Sequence, residues 1–139
     1  MKQKRLWNIG NRGVETIEMV LVLPVFIILL FSGFEYGWAV LKLIQLDHVA
    51  NLGARVAALS GSTNSDVQNS VNSALSDFGI AGSTITISPQ DPANAVFGTP
   101  IVVMVETPYS QVQLLGLSGV MPLPTSLKGR ASMVKEPEP

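Results

Sequence analysis

The chain has 139 residues, 47% of them hydrophobic, with a formal charge of −1 and no cysteine. That length sets one small domain as the expectation. The lack of Cys excludes disulfide staples and thiolate metal sites, and the near-neutral charge argues against bulk nucleic-acid binding, so no nucleic-acid partner is expected.

Residues 1–12 are basic and polar, with Lys2, Lys4, Arg5 and Arg12 all ahead of the first acid, Glu15. They carry no hydrophobic periodicity and read as a cytoplasmic leader. From Met19 to Phe34 there is no charge, and only Pro24, Ser32 and Gly33 interrupt a run of Val, Leu, Ile, Phe and Met. A run of about 20 apolar residues at 1.5 Å each crosses a hydrocarbon core of roughly 30 Å. The predicted span covers residues 17–40. Lys and Arg beside a span stay on the cytoplasmic side, which orients the N-terminus in and the C-terminus out. The run exceeds a typical secretory h-region, and no small-x-small cleavage site follows it. Bulky Phe34, Tyr36 and Trp38 follow instead, and the amphipathic rings of Tyr36 and Trp38 suit a membrane–water interface.

Nothing but Pro24 stops a helix between residues 14 and about 59, and Pro24 predicts a bend. Beyond the span, Leu41, Ile44, Leu52, Val56 and Leu59 recur near helical spacing and predict the face that packs on a soluble domain. Ala50, Gly53, Ala54, Ala57 and Ala58 allow another backbone to come close, and Gly61 is the expected stop. Ser65 to Gln68 has the form of a capping box. Val67, Val71, Ala74, Leu75 and Phe78 then form one stripe on a short helix closed by Gly79.

The remainder reads as strands. Residues 84–88 alternate, with Ile85 and Ile87 on one face. Residues 89–100 carry loop signals. Residues 101–106 form a β-branched run suited to a central strand, ended by Pro108. Residues 114–124 are apolar but punctuated by Gly116, Gly119, Pro122 and Pro124, and serve either as a partner-facing loop or as a cover for the sheet. Residues 126–135 alternate again, with Leu127, Ala131 and Met133 inward. A soluble part this small buries little by itself. The expected fold is therefore α+β: a long N-terminal helix packed on an antiparallel sheet of about three strands, with one short helix. The predicted divisions are a leader (1–13), a long helix (14–60), an extracytoplasmic domain (61–135) and a polar tail (136–139).

Catalytic chemistry finds no support. Asp47 and His48 are adjacent, and adjacent helical residues do not face each other. One His and no Cys argue against a zinc site. Gly116 and Gly119 lack the Lys and helix context of a phosphate loop. The expectation is a protein that is not an enzyme, with no catalytic residue, no cofactor and no metal.

The stretch Gly13-Val14-Glu15-Thr16-Ile17-Glu18-Met19, followed by Val-Leu-Val-Leu-Pro24, resembles the prepilin-like signal of TadE-family pseudopilins. Asn51 to Ala58 resembles that family's GAR-containing segment, and Arg130 to Glu136 its last strand. Met19 stands where the family usually has an aromatic. The resemblance implies a minor pilin or pseudopilin of a tight-adherence (Tad/Flp) pilus or secretion system. Such a chain waits in the inner (cytoplasmic) membrane and then enters a surface pilus. It implies a prepilin peptidase that cuts between Gly13 and Val14, and partners among other pilin subunits and the pilus assembly machinery. Cutting there removes four of nine basic residues and none of ten acids, taking the formal side-chain charge from −1 to −5. Glu18, fifth in the mature chain, would then pair with a neighbouring subunit's α-ammonium; alternatively it is simply an acid favoured in a first helical turn. A second register uses Gly10 and Glu15 and leaves Arg12 in the mature helix. Glu35 and Arg55 are candidate interface residues. Glu35 either pairs with a basic group of another subunit or marks the outer membrane edge. Arg55 either anchors the helix to the sheet or is solvated. The alternative function is an uncleaved single-pass membrane protein whose outer domain binds a partner.

Overall fold

A computed structural model describes residues 12–119 and 121–137. Helix α1 spans Arg12–Ala58 and contributes to both of the units into which the chain divides, the boundary falling after Phe34. The basic residues ahead of Arg12, and Gly10 with them, lie outside the described residues.

In the first unit α1 continues through Pro24. The Ser32 hydroxyl donates to the Ile28 carbonyl at 2.7 Å, so the one hydroxyl in the run from Met19 to Phe34 is satisfied within its own helix. The large apolar side chains from Ile17 to Phe31, and Phe34 after them, are exposed. Among the described residues this is the one helix long and apolar enough to cross a membrane, and none of its most apolar window is buried.

The second unit is α+β. It holds the rest of α1, helix α2 (Asn64–Asp77) and strands β1 (Thr84–Ser88), β2 (Pro100–Pro108) and β3 (Ser126–Val134). The sheet is antiparallel with order β1-β2-β3; Ile87 pairs with Val103, and Val103 with Ala131. Alternation on β2 places Ile101, Val103, Val105 and Thr107 on the buried face, as period-two geometry requires. On β3, Leu127 and Ala131 are buried and Met133 half-buried, while Lys128, Arg130 and Ser132 are exposed.

The expected packing face of α1 is corrected. Leu41, Ile44 and Leu59 are exposed, and Leu52 and Val56 are only half-buried. The buried stripe is Glu35, Ala39, Lys42, Leu46, Val49, Ala50, Gly53, Ala54, Ala57 and Ala58, each with another member three or four residues away. Small residues win this face because they bring backbones together. A methyl group on Gly53 would stand 2.6 Å from Val71 Cγ2, and one on Gly129 of β3 would run into the backbone of Leu46. Leu46 and Val49, both fully buried here, each contribute on the order of 1.5–3 kcal/mol.

The start of α2 is also shifted. Thr63, not Ser65, is the N-cap: its hydroxyl accepts from the Asp66 amide, and the Asp66 carboxylate accepts from the Thr63 amide at 2.9 Å. Thr63 has an acid three residues on, the spacing that closes a capping box. The expected stripe of Val67, Val71, Ala74 and Leu75 is buried, and Gly79 follows the helix end at φ +61°.

Candidate functional site

Two places bear on function: the start of α1, and the point where α1 enters the folded unit.

At the start, Gly13 lies in the first turn of α1 and is exposed. A Cβ added there would meet nothing within 4 Å, and the backbone is not in the left-handed region. The fold therefore gives no reason for glycine at this position, and Ala would favour the helix by about 1 kcal/mol. Val14 continues the helical backbone. Glu18 is exposed one turn further on. Among the described residues the one ion pair joins Lys128 and Glu106 at 3.2 Å, so Glu18 has no ionic partner there. Glu15 is exposed three residues before it, on the same side of the helix.

Where α1 joins the folded unit, Glu35 is fully buried. The Tyr109 hydroxyl donates to its Oε1 at 2.7 Å, the Leu114 amide to Oε1 at 3.3 Å and the Leu115 amide to Oε2 at 2.8 Å. Glu35 is thus neither a solvated marker of the membrane edge nor free for another subunit. Its acceptor sites are occupied by the chain's own loop, as burial of a carboxyl group demands. The neighbouring aromatics join the same anchor. Trp38 Nε1 donates to the Val112 carbonyl at 2.6 Å, and the Tyr36 hydroxyl to the Pro122 carbonyl at 2.7 Å. Burial, and then the hydrogen bond to Glu35, hold the Tyr109 phenol protonated well above its ordinary range. Of the two readings of residues 114–124, cover and presented loop, the segment combines features: Met121 is buried and Leu123 half-buried against the core, while Leu114 and Leu115 are exposed.

Arg55 is exposed and lines a shallow cleft of about 340 Å³ with Leu52, Val56, Leu59 and Met133. It is not what ties the helix to the sheet. Asp47 does so, accepting from the Arg130 amide of β3 at 3.2 Å. His48 is exposed, with its ring edge-on to Phe78 at 6.0 Å.

Sequence reasoning missed two buried lysines. Lys42 donates to the Phe78 carbonyl at 3.0 Å, with its ammonium 5.1 Å from the Trp38 ring centroid. Their i, i+4 spacing was the available signal. Lys135 donates to the Leu59 carbonyl at 2.6 Å and reaches the Ala57 carbonyl at 3.4 Å. It thereby supplies donors to carbonyls at the end of α1, which have no partner inside the helix. No local signal pointed to it.

No curated protein and no solved structure matches the chain. The family model described as TadE-like protein matches residues 13–55, which begin at Gly13, include Glu18 and Glu35, and end at Arg55. Over that segment, most of α1, the chain is similar to the TadE-like family.

Proposed function

We propose that this chain is a Tad pilus-associated protein, a minor pseudopilin that is a structural subunit rather than an enzyme. In this reading α1 anchors it in the cytoplasmic membrane, with its N-terminus inside and the folded unit outside. The TadE-like match supports the pilus association, and the exposed apolar run supports the anchor. A prepilin peptidase cuts between Gly13 and Val14, and the mature chain then packs its helix among those of other pilin subunits within the assembly machinery.

The observation that carries the reading is the pairing of Gly13 and Glu18. Gly13 has no steric or conformational duty in the fold, and Glu18 is an exposed acid without an ionic partner among the described residues. A glycine ahead of the cut leaves a protease at the membrane surface unobstructed. The new α-ammonium offers an exposed acid its counter-charge on a sister helix. A charge at the centre of a membrane helix costs about 2.5–3.5 kcal/mol on insertion scales. Glu18 sits near the end of the run and faces a smaller penalty, part of which pairing would offset.

N-terminal sequencing of the chain from a membrane that holds a prepilin peptidase tests this. The expected sequence begins Val14-Glu15-Thr16. A chain that keeps its basic leader under those conditions is instead a permanent single-pass protein with a partner-binding outer domain.

A further inference from the structure

We propose that the loop of residues 109–124 is a membrane-surface foot that places Leu114 and Leu115 in the boundary between lipid headgroups and acyl chains. The proposal rests on the reading of α1 as a membrane anchor and adds a second lipid contact outside the helix. Glu35 follows directly on Phe34, the last exposed large apolar residue of the run. The Leu114 and Leu115 amides lie 3.3 and 2.8 Å from the Glu35 carboxylate oxygens. Two hydrogen bonds therefore hold these leucines at Glu35, the first residue after the apolar run.

The side chains themselves point away from the core. Leu114 is 47% and Leu115 45% exposed, though their backbone amides are pinned on a fully buried carboxylate. Two adjacent leucines held open by such an anchor are not accounted for by packing within the unit. The flanking groups fit a bilayer surface: Tyr36 is exposed and Trp38 half-buried, each with its polar atom on a carbonyl of the same loop. Amphipathic rings of this kind settle at headgroup level. The foot carries no charge between residues 107 and 127, so nothing in that stretch opposes entry into the interface. The exposed apolar pair Val96 and Phe97 serves as a contrast. It lies beside Lys135 and Glu136, which bond the C-terminal end of α1. That end is 23 residues beyond Glu35, about 35 Å along the helix.

The chain has no cysteine, so single-Cys variants report one site each. L29C, L114C, L115C and F97C, all at exposed positions, are labelled with an environment-sensitive fluorophore on the full chain in phosphatidylcholine–phosphatidylglycerol vesicles. Circular dichroism verifies the fold of each. Nitroxide-bearing lipids and aqueous iodide are the quenchers. The expected result is strong lipid quenching at 29, clear lipid quenching with a blue shift at 114 and 115, and iodide quenching alone at 97. Lipid quenching at 29 with only iodide quenching at 114 and 115 overturns the foot and leaves the anchor standing. Labels at 114 and 115 shielded from both quenchers also overturn it, because a protein surface then covers them. Absence of lipid quenching at 29 overturns the anchor reading and the foot with it.

Discussion

The Tyr109 hydroxyl donates to Glu35 Oε1 at 2.7 Å, joining residues 74 positions apart in the chain. With the Leu114 and Leu115 amides on the same carboxylate, this bond closes the loop after β2 onto α1. Glu35→Ala should therefore leave a buried hydroxyl and two amides short of an acceptor, at a cost of about 2–3 kcal/mol. Tyr109→Phe should cost about 1–2 kcal/mol. The double variant should be less destabilised than the sum of the single ones, because both remove the same bond. Urea unfolding of the four proteins measures this; strict additivity would show the bond contributes nothing.

Gly129 and Gly53 should respond differently to a methyl group. On Gly129 it meets the backbone of Leu46, which cannot turn aside; on Gly53 it meets the side chain of Val71. Gly129→Ala should cost about 3 kcal/mol, the upper part of the overpacking range, and Gly53→Ala about 1–2 kcal/mol. Equal midpoints in denaturant would contradict the close approach of β3 to α1.

Acid should weaken the folded unit through two carboxylates. Hydrogen bonds from the Thr63 hydroxyl and amide hold Asp66 below its ordinary 3.8, and Ser126, then Lys128, hold Glu106 below 4.5. In acid each binds fewer protons folded than unfolded. Its stabilisation is thus complete above the unfolded value and is lost as pH falls through the folded one. The thermal midpoint should decline below about pH 4.5, and Thr63→Ala should flatten the lower part of that decline.

Alkali should act through Tyr109 with the opposite sign. The unfolded chain releases the phenolic proton near 10.0, while the folded unit retains it. Stability should fall as pH rises past that value. In a Tyr36→Phe variant, phenolate absorbance should then appear only together with loss of the folded circular dichroism signal.

Gly13 and Glu18 should separate folding from processing. Gly13→Ala should leave the folded unit's stability unchanged, since the methyl group meets nothing. A bulkier residue at 13 should block cutting in cells that carry a prepilin peptidase. Glu18→Ala should insert in the membrane as before yet assemble poorly. Normal assembly by that variant, read from pilus yield, would refute the pairing of Glu18 with a neighbour's ammonium.

Elements whose signals are local can be read from the order of the amino acids. The apolar run of α1, the stripe of α2 and the alternation of β1 and β3 all depend on the period of neighbouring residues, and each has its expected element type. Tertiary structure decided which face of α1 is buried. Apolar residues lie all round that helix, so period alone cannot choose between the larger Leu41, Ile44 and Leu59 and the smaller Ala50, Ala54 and Ala57. Closeness of backbones selects the small ones, and only the positions of Val71 and Gly129 reveal it. Tertiary structure also decided what Glu35 does. A carboxylate beside an apolar run looks like a membrane-edge residue until the chain folds back and brings Tyr109, Leu114 and Leu115 to its oxygens, and no local pattern encodes a partner so far along the chain.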